Sequence, residues 1–185
     1  LEFFKKEGKK NLVGLEMGCG KGRNVIALAN QELVKKMYGF DFSEVAIKEA
    51  GKRAAEEKVS DKVQFDIADA TESWKYPDSF FDFGVDCFVS TGIENQEGRQ
   101  FAIGEMRRVL KPGGCFLVYV MSTDDEYHKK MIKESPAEEE NSFYNLNGKF
   151  QKVFSAEELD EMYRQFKLVE SRRIEKYTEF FGKSY

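Results

Sequence analysis

Short apolar runs alternate with helical periodicities along this chain. The runs are "NLVGLEMG" (11–18), "VKKMYGFD" (34–41), "KVQFDIAD" (62–69), "FDFGVDCF" (81–88), "CFLVYVM" (115–121) and "FKLVESRRIEKY" (166–177). The first five are short, and most carry the valine, isoleucine or aromatic content of strands. Between them, "SEVAIKEAGKRAAEEK" opens on Ser43 as N-cap and sets Ala46, Ile47, Ala50 and Ala54 at helix spacing. "RQFAIGEMRRVLK" puts Ala102, Met106, Val109 and Leu110 on one face and meets Pro112-Gly113-Gly114 as a stop. Ser155 followed by Glu158 reads as a capping box.

Strand and helix in alternation predict one α/β domain over 1–185, a Rossmann-like doubly wound, mostly parallel sheet with helices on both faces and right-handed crossovers. "LEFFKKEGKK" reads as the tail of an amphipathic helix, and "TEFFGKSY" as a turn after the sixth run, so a last, seventh strand is expected to be missing. The segment 122–154 shows no clear periodicity and is long for a plain connection. It reads either as a lid whose Tyr127, Phe143, Tyr144 and Phe150 wall a substrate pocket, or as an ordered surface excursion packed by the same rings.

Composition narrows the functional classes. A chain of 185 residues holds one well-buried core. A net charge of −4 without a basic stripe disfavours nucleic acid as a partner and favours a small molecule. Three widely spaced cysteines and a single histidine suggest neither a disulfide framework nor a zinc site. No apolar run has the length of a membrane span, and a reducing cytoplasm is the expected address. Nothing in the pattern speaks to oligomeric state.

The chemistry concentrates in "LEMGCGKGRN" (15–24), where Glu16 precedes Gly18, Gly20 and Gly22. Alternate glycines at a strand-to-helix turn let a ligand lie against bare backbone. A phosphate loop of the form G-x-x-x-x-G-K-[ST] fails, because Leu15 stands at the first glycine and Gly22 follows Lys21. A dinucleotide loop G-x-G-x-x-G is disfavoured because Arg23 occupies its third glycine. What remains is acid-x-G-x-G-x-G, and a carboxylate there attracts an ammonium rather than a pyrophosphate.

In this order the motifs resemble those of class I S-adenosylmethionine-dependent methyltransferases of the broad small-molecule type, from about Leu12 to Lys176. "LEMGCGKGRN" is similar to the glycine motif, with Glu16 where Asp is usual. "YGFDFS" resembles the second-strand motif, "IADATE" the third, "PDSFFDFGVDCF" the fourth-strand motif, and "MRRVLKPGGCFLVYV" the helix, turn and strand that follow. The resemblance implies S-adenosylmethionine as cofactor and S-adenosylhomocysteine as product. It implies a loop of Gly18, Cys19, Gly20 and Gly22, with Glu16 toward the methionine ammonium and the helix-start amides toward its carboxylate. It further implies that Asp41 holds the ribose hydroxyls, that Phe42 flanks the adenine, and that Asp69 accepts from the adenine amino group with Ala70 beside it. The position of Asp41, about twenty residues after the glycines, suits a ribose contact independently.

Asp86 lies near the fourth strand's carboxyl end and reads either as a contact to cofactor or substrate or as a backbone brace. Asp86 and His128 are the candidate bases, with His128 also read as a surface residue. Cys87 and Cys115 read as small buried hydrophobes, Cys19 as a space-filler, Asp82 as structural, and Trp74 and Tyr76 as loop packing. Two other functional readings stay open: a cofactor-binding scaffold without catalysis, and a methyltransferase acting on protein or tRNA.

Overall fold

A computed structural model describes residues 1–175 and the backbone of 179–180 and 183–184. The chain divides into two compact units, Leu1–Ser90 with Gln96–Tyr119, and Thr91–Asn95 with Val120–Tyr185.

The first unit is built on a five-stranded parallel sheet. Its strands are β1 (Leu12–Met17), β2 (Val34–Asp41), β3 (Val63–Ile67), β4 (Phe81–Cys87) and β5 (Leu110–Tyr119), in the order β3-β2-β1-β4-β5. The first five apolar runs thus become the five strands. The order reverses between β1 and β4, so the carboxyl ends of those two strands flank the crevice where open α/β sheets bind ligands.

Strand alternation assigns the faces. Met37, Gly39 and Phe83 share the face packed by Phe4 of α1 (Glu2–Lys6), Val25 of α2 (Arg23–Ala29) and Ala54 of α3 (Glu44–Glu56). Gly84 lies on the opposite face, against Met106 of α5 (Gln96–Val109). Helices therefore cover both faces, as the alternation predicted. Ser43 caps α3 by accepting from the Ala46 amide at 3.2 Å. The stop at Pro112–Gly114 takes an unexpected form: α5 ends at Val109, Leu110 already pairs with Phe81, and the ladder resumes at Cys115 opposite Phe83 after a bulge. Gly113 supplies the positive φ (75°) that this detour needs.

Trp74 and Tyr76 are buried and pack with Tyr38, Phe40 and Phe81 in one aromatic cluster. Trp74 also donates its indole N–H to the Ala70 carbonyl at 3.2 Å, tying the loop after β3 to that cluster. Asp82 accepts from the Val13 amide and from Lys111, each at 2.8 Å, which is the structural role expected of it.

The second unit contains the segment 122–154, and it is more regular than its sequence suggests. Helix α6 (Glu126–Glu134) is capped by Asp125, and β6 (Ser142–Tyr144) pairs antiparallel with β7 (Phe150–Lys152). Met131, Phe143 and Val153 form its small core. Buried Lys152 donates to Glu158 at 2.5 Å, and Glu158 also closes the predicted capping box with Ser155 at the start of α7 (Ala156–Met162).

The sixth strand expected over 166–177 is not found: residues 166–175 join no sheet among the described residues, and 176–177 lie outside them. A strand exists only by pairing, and here Leu168, Val169 and Ile174 are exposed while Arg173 bonds Asp124 at 2.9 Å. Beyond it, Glu179–Phe180 pairs antiparallel with Lys183–Ser184, and the residues of the expected turn between them lie outside the described ones.

Two glycines test how the helices meet the sheet. A Cβ at Gly39 would stand 2.8 Å from Val25 Cγ2 and 2.9 Å from Cys19 Cβ, whereas at Gly84 the obstacle is the mobile thioether of Met106 at 2.2 Å. Gly39→Ala should cost about 1–3 kcal/mol in urea unfolding, and Gly84→Ala clearly less, because methionine can swing aside. Equal costs would contradict this packing.

Candidate functional site

At the carboxyl end of β1 the chain turns from Met17 through Gly18, Cys19, Gly20 and Lys21 into α2, whose N-cap is Gly22. The three glycines do different work, although all have positive φ. A Cβ on Gly18 would meet Val89 Cγ2 at 2.3 Å, and one on Gly22 would meet Phe65 and Ala50 at 2.9–3.0 Å. These two glycines let the protein pack on itself, and Gly22 brings the start of α2 close to β3. A Cβ on Gly20 would meet nothing within 4 Å. Its backbone faces open space, part of a cavity of about 290 Å³ lined also by Glu16, Arg23, Asn24, Cys87 and Phe88.

Glu16 is 2% exposed. Its Oε1 accepts from Asn24 Nδ2 at 2.6 Å, while buried Oε2 has no hydrogen-bond partner. Burial pushes the Glu16 carboxyl up to about 7, against the opposing pull of Asn24, the Val25 amide and the Arg23 charge. An orphaned carboxylate oxygen beside a bare glycine is an incomplete site, and a cation completes it.

Asp41, at the end of β2, is buried and braces the same loop. Its Oδ2 accepts from the Gly20 amide at 2.8 Å and its Oδ1 from the Ser43 amide at 2.9 Å. A carboxylate has about four lone-pair sites, so each oxygen keeps one for a further donor. Phe42 follows with 78% of its surface exposed. Asp69 is exposed; its Oδ1 accepts from the Thr71 amide and hydroxyl at 2.8 and 2.7 Å in an Asx turn. Ala70 is half-buried beside it.

Asp86, at the end of β4, is fully buried, accepts from the Val89 amide at 2.8 Å and bonds the Ser90 hydroxyl and amide. Its visible work is to brace the turn after β4. Cys19 is buried under Gly39, and burial pushes its thiol up, out of reach of thiolate chemistry. Cys115 and Cys87 are only half-buried, both pack against the core, and Cys87 also lines the cavity.

His128 belongs to the second unit and to a different cavity. Its Nδ1 lies 3.1 Å from the Ser122 carbonyl, and its ring stacks on Phe143. Sequence reasoning missed Asn24, Cys87 and Phe88 in the first cavity. Phe88 carried no signal at all, yet its φ of 68° is a strained value for a bulky residue, held by its amide donating to Tyr119 O at 2.8 Å. Among the described residues no group of three or more His, Cys, Asp or Glu could hold a metal ion, and no helix is long and apolar enough to cross a membrane.

Comparison with known proteins places this geometry. A family model described as "Methyltransferase domain" matches residues 8–176, and the chain belongs to that family. It is 35% identical over 103 residues to a demethylmenaquinone methyltransferase of Leptospira interrogans, covering 56% of this chain and 40% of the relative. It is 35% identical over 100 residues to the 27-O-demethylrifamycin SV methyltransferase of Amycolatopsis mediterranei, covering 54% and 35%. The chain thus spans less than half the length of these curated relatives. In fold it is similar to a SAM-dependent methyltransferase from Methanosarcina mazei, with a TM-score of 0.75 at 24% identity, over 89% of this chain and 83% of that one. The Rossmann-like fold and the methyltransferase family inferred from the motifs both stand.

Glu16 makes the site costly. Its folded value of about 7 lies above the ordinary 4.5, so the folded protein holds the extra proton between those values and loses stability as pH rises through them. Glu16→Gln should therefore match the parent near pH 4.5 and exceed it by about 3 kcal/mol at pH 8. Chemical denaturation of both proteins across that range checks it, and a constant difference would contradict the burial of the charge.

Proposed function

We propose that the first unit binds S-adenosylmethionine at the β1 loop and that the chain transfers its methyl group to a small-molecule nucleophile. The observation that carries this reading is the pairing of an unsatisfied, buried Glu16 oxygen with the open backbone of Gly20. The family's cofactor brings an ammonium for that oxygen, and Lys21 and Arg23 on the cavity wall offer positive charge for its carboxylate. The free lone pairs of Asp41 suit a pair of vicinal hydroxyls, and exposed Phe42 offers a ring face to a planar base. Asp69 holds Thr71 through Oδ1, and its Oδ2 suits an amino group. Names of the matched relatives, quinone and rifamycin methyltransferases, support a small-molecule acceptor for this chain too.

When bound, S-adenosylmethionine supplies a methyl already activated by the positive sulfonium. The protein's own residues then have three tasks: to bind through Glu16 and Asp41, to hold the loop rigid through the Asp41–Gly20 bond, and to exclude water. Alignment of this kind contributes several kcal/mol, roughly 7–11 at the best geometries. Asp86 supports the end of β4 as a positioning residue, since its oxygens are occupied by the turn that follows. Three free cysteines fit a reducing compartment, and we place the protein in the cytoplasm.

Asp41→Ala should weaken S-adenosylhomocysteine binding at least roughly tenfold in calorimetry, from loss of both the ribose contact and the loop brace. Asp41→Asn, which keeps one acceptor oxygen, should lose less. Unchanged affinity in the alanine variant would falsify the assignment of the ribose to Asp41.

A further inference from the structure

The second unit holds a cavity of its own, about 180 Å³ in volume. Its walls combine apolar groups, among them Met121, Tyr127 and Phe143, with the polar side chains of His128, Asn145 and Asn147. No Lys, Arg, Asp or Glu is among the residues that line it. A ligand carrying a full charge would therefore be desolvated without a counter-ion, which costs several kcal/mol. The volume suits a ring system: a dry cavity of about 150 Å³ accepts benzene.

The polar groups add direction. His128 Nδ1 lies 3.1 Å from the Ser122 carbonyl and 3.5 Å from Asp125 Oδ1, both acceptors, so Nδ1 carries a proton and in the neutral imidazole Nε2 is the acceptor. The stack of the imidazole on Phe143, with centroids 5.9 Å apart and planes at 30°, fixes its orientation. Asn145 uses its Oδ1 to accept the amides of Asn147 and Lys149, at 2.9 and 3.1 Å, which leaves its amino group as the donor toward a ligand. The cavity thus offers flat apolar walls, one nitrogen acceptor and amide donors.

We infer that this cavity binds a neutral, planar ring bearing a hydroxyl group, a phenol-like molecule whose hydroxyl hydrogen is taken by His128 Nε2 and whose ring lies against Phe143 and Tyr127. His128 here binds and orients.

Because the chain has one histidine, its imidazole Cε1–H gives a single, assignable resonance. Titration of the whole protein with 1-naphthol should shift that resonance saturably, and naphthalene-1-sulfonate, with the same ring and a fixed charge, should bind at least roughly tenfold more weakly. Leu146→Trp, at an exposed residue of the cavity wall, should fill the space and abolish the naphthol response while leaving S-adenosylhomocysteine affinity unchanged. No saturable shift with naphthol, or an equal response to the sulfonate, would overturn the cavity's ligand class.

Discussion

A carboxylate held in a protein interior with one oxygen unpaired is an expense that the rest of the first unit is arranged around. Glu16 is the last residue but one of β1, at the point where the sheet order reverses, and its buried Oε2 has no hydrogen-bond partner. Burial alone would favour its neutral form. A cation placed beside it would restore the charged form and return the lost stability as binding energy. Strained or unsatisfied groups cluster at ligand sites, and this one lies where the proposed function puts the cofactor.

The loop around Glu16 is rigid before anything binds. Gly18 and Gly22 are locked against Val89 and against Phe65 with Ala50, while the Gly20 amide is held by Asp41 from the next strand. Asp41 therefore links two parts of the proposed site, the loop proposed to receive the amino-acid end and the strand tip proposed to receive the sugar. Trp74 performs a similar service one strand further out, tethering Ala70 and so the turn containing Asp69. Preorganisation of this kind lowers the ordering cost of binding and leaves more of the contact energy for affinity.

Local signals were readable wherever they determined local structure. The parallel strands showed as short apolar runs because both of their faces are covered, and Ser43 and Ser155 announced their helices through caps that the structure contains. Glu16, the glycines and Asp41 were readable because their spacing follows from the strand-turn-helix geometry itself. Asn24, only eight residues from the Glu16 it bonds, was simply overlooked, whereas Cys87 and Phe88 were not readable because their place at the cavity depends on β1 pairing with β4, a contact between segments some seventy residues apart. The apolar run at 166–177 misled for the same reason: strand propensity does not make a strand without a neighbour to pair with. In 122–154, a single buried residue on α6, Met131, left too little periodicity to reveal a helix that its Asp125 cap and its tertiary contacts support.

Proton exchange on cofactor binding tests the central claim most directly. Near pH 6 the empty protein should hold a proton on Glu16, whose value lies at about 7, and an arriving ammonium should expel it. Calorimetric titration with S-adenosylhomocysteine in two buffers of different ionisation enthalpy should register release of on the order of one proton in the parent and none in Glu16→Gln. Identical proton balance in the two proteins, with identical affinity, would show that the ligand's charge never meets this carboxylate.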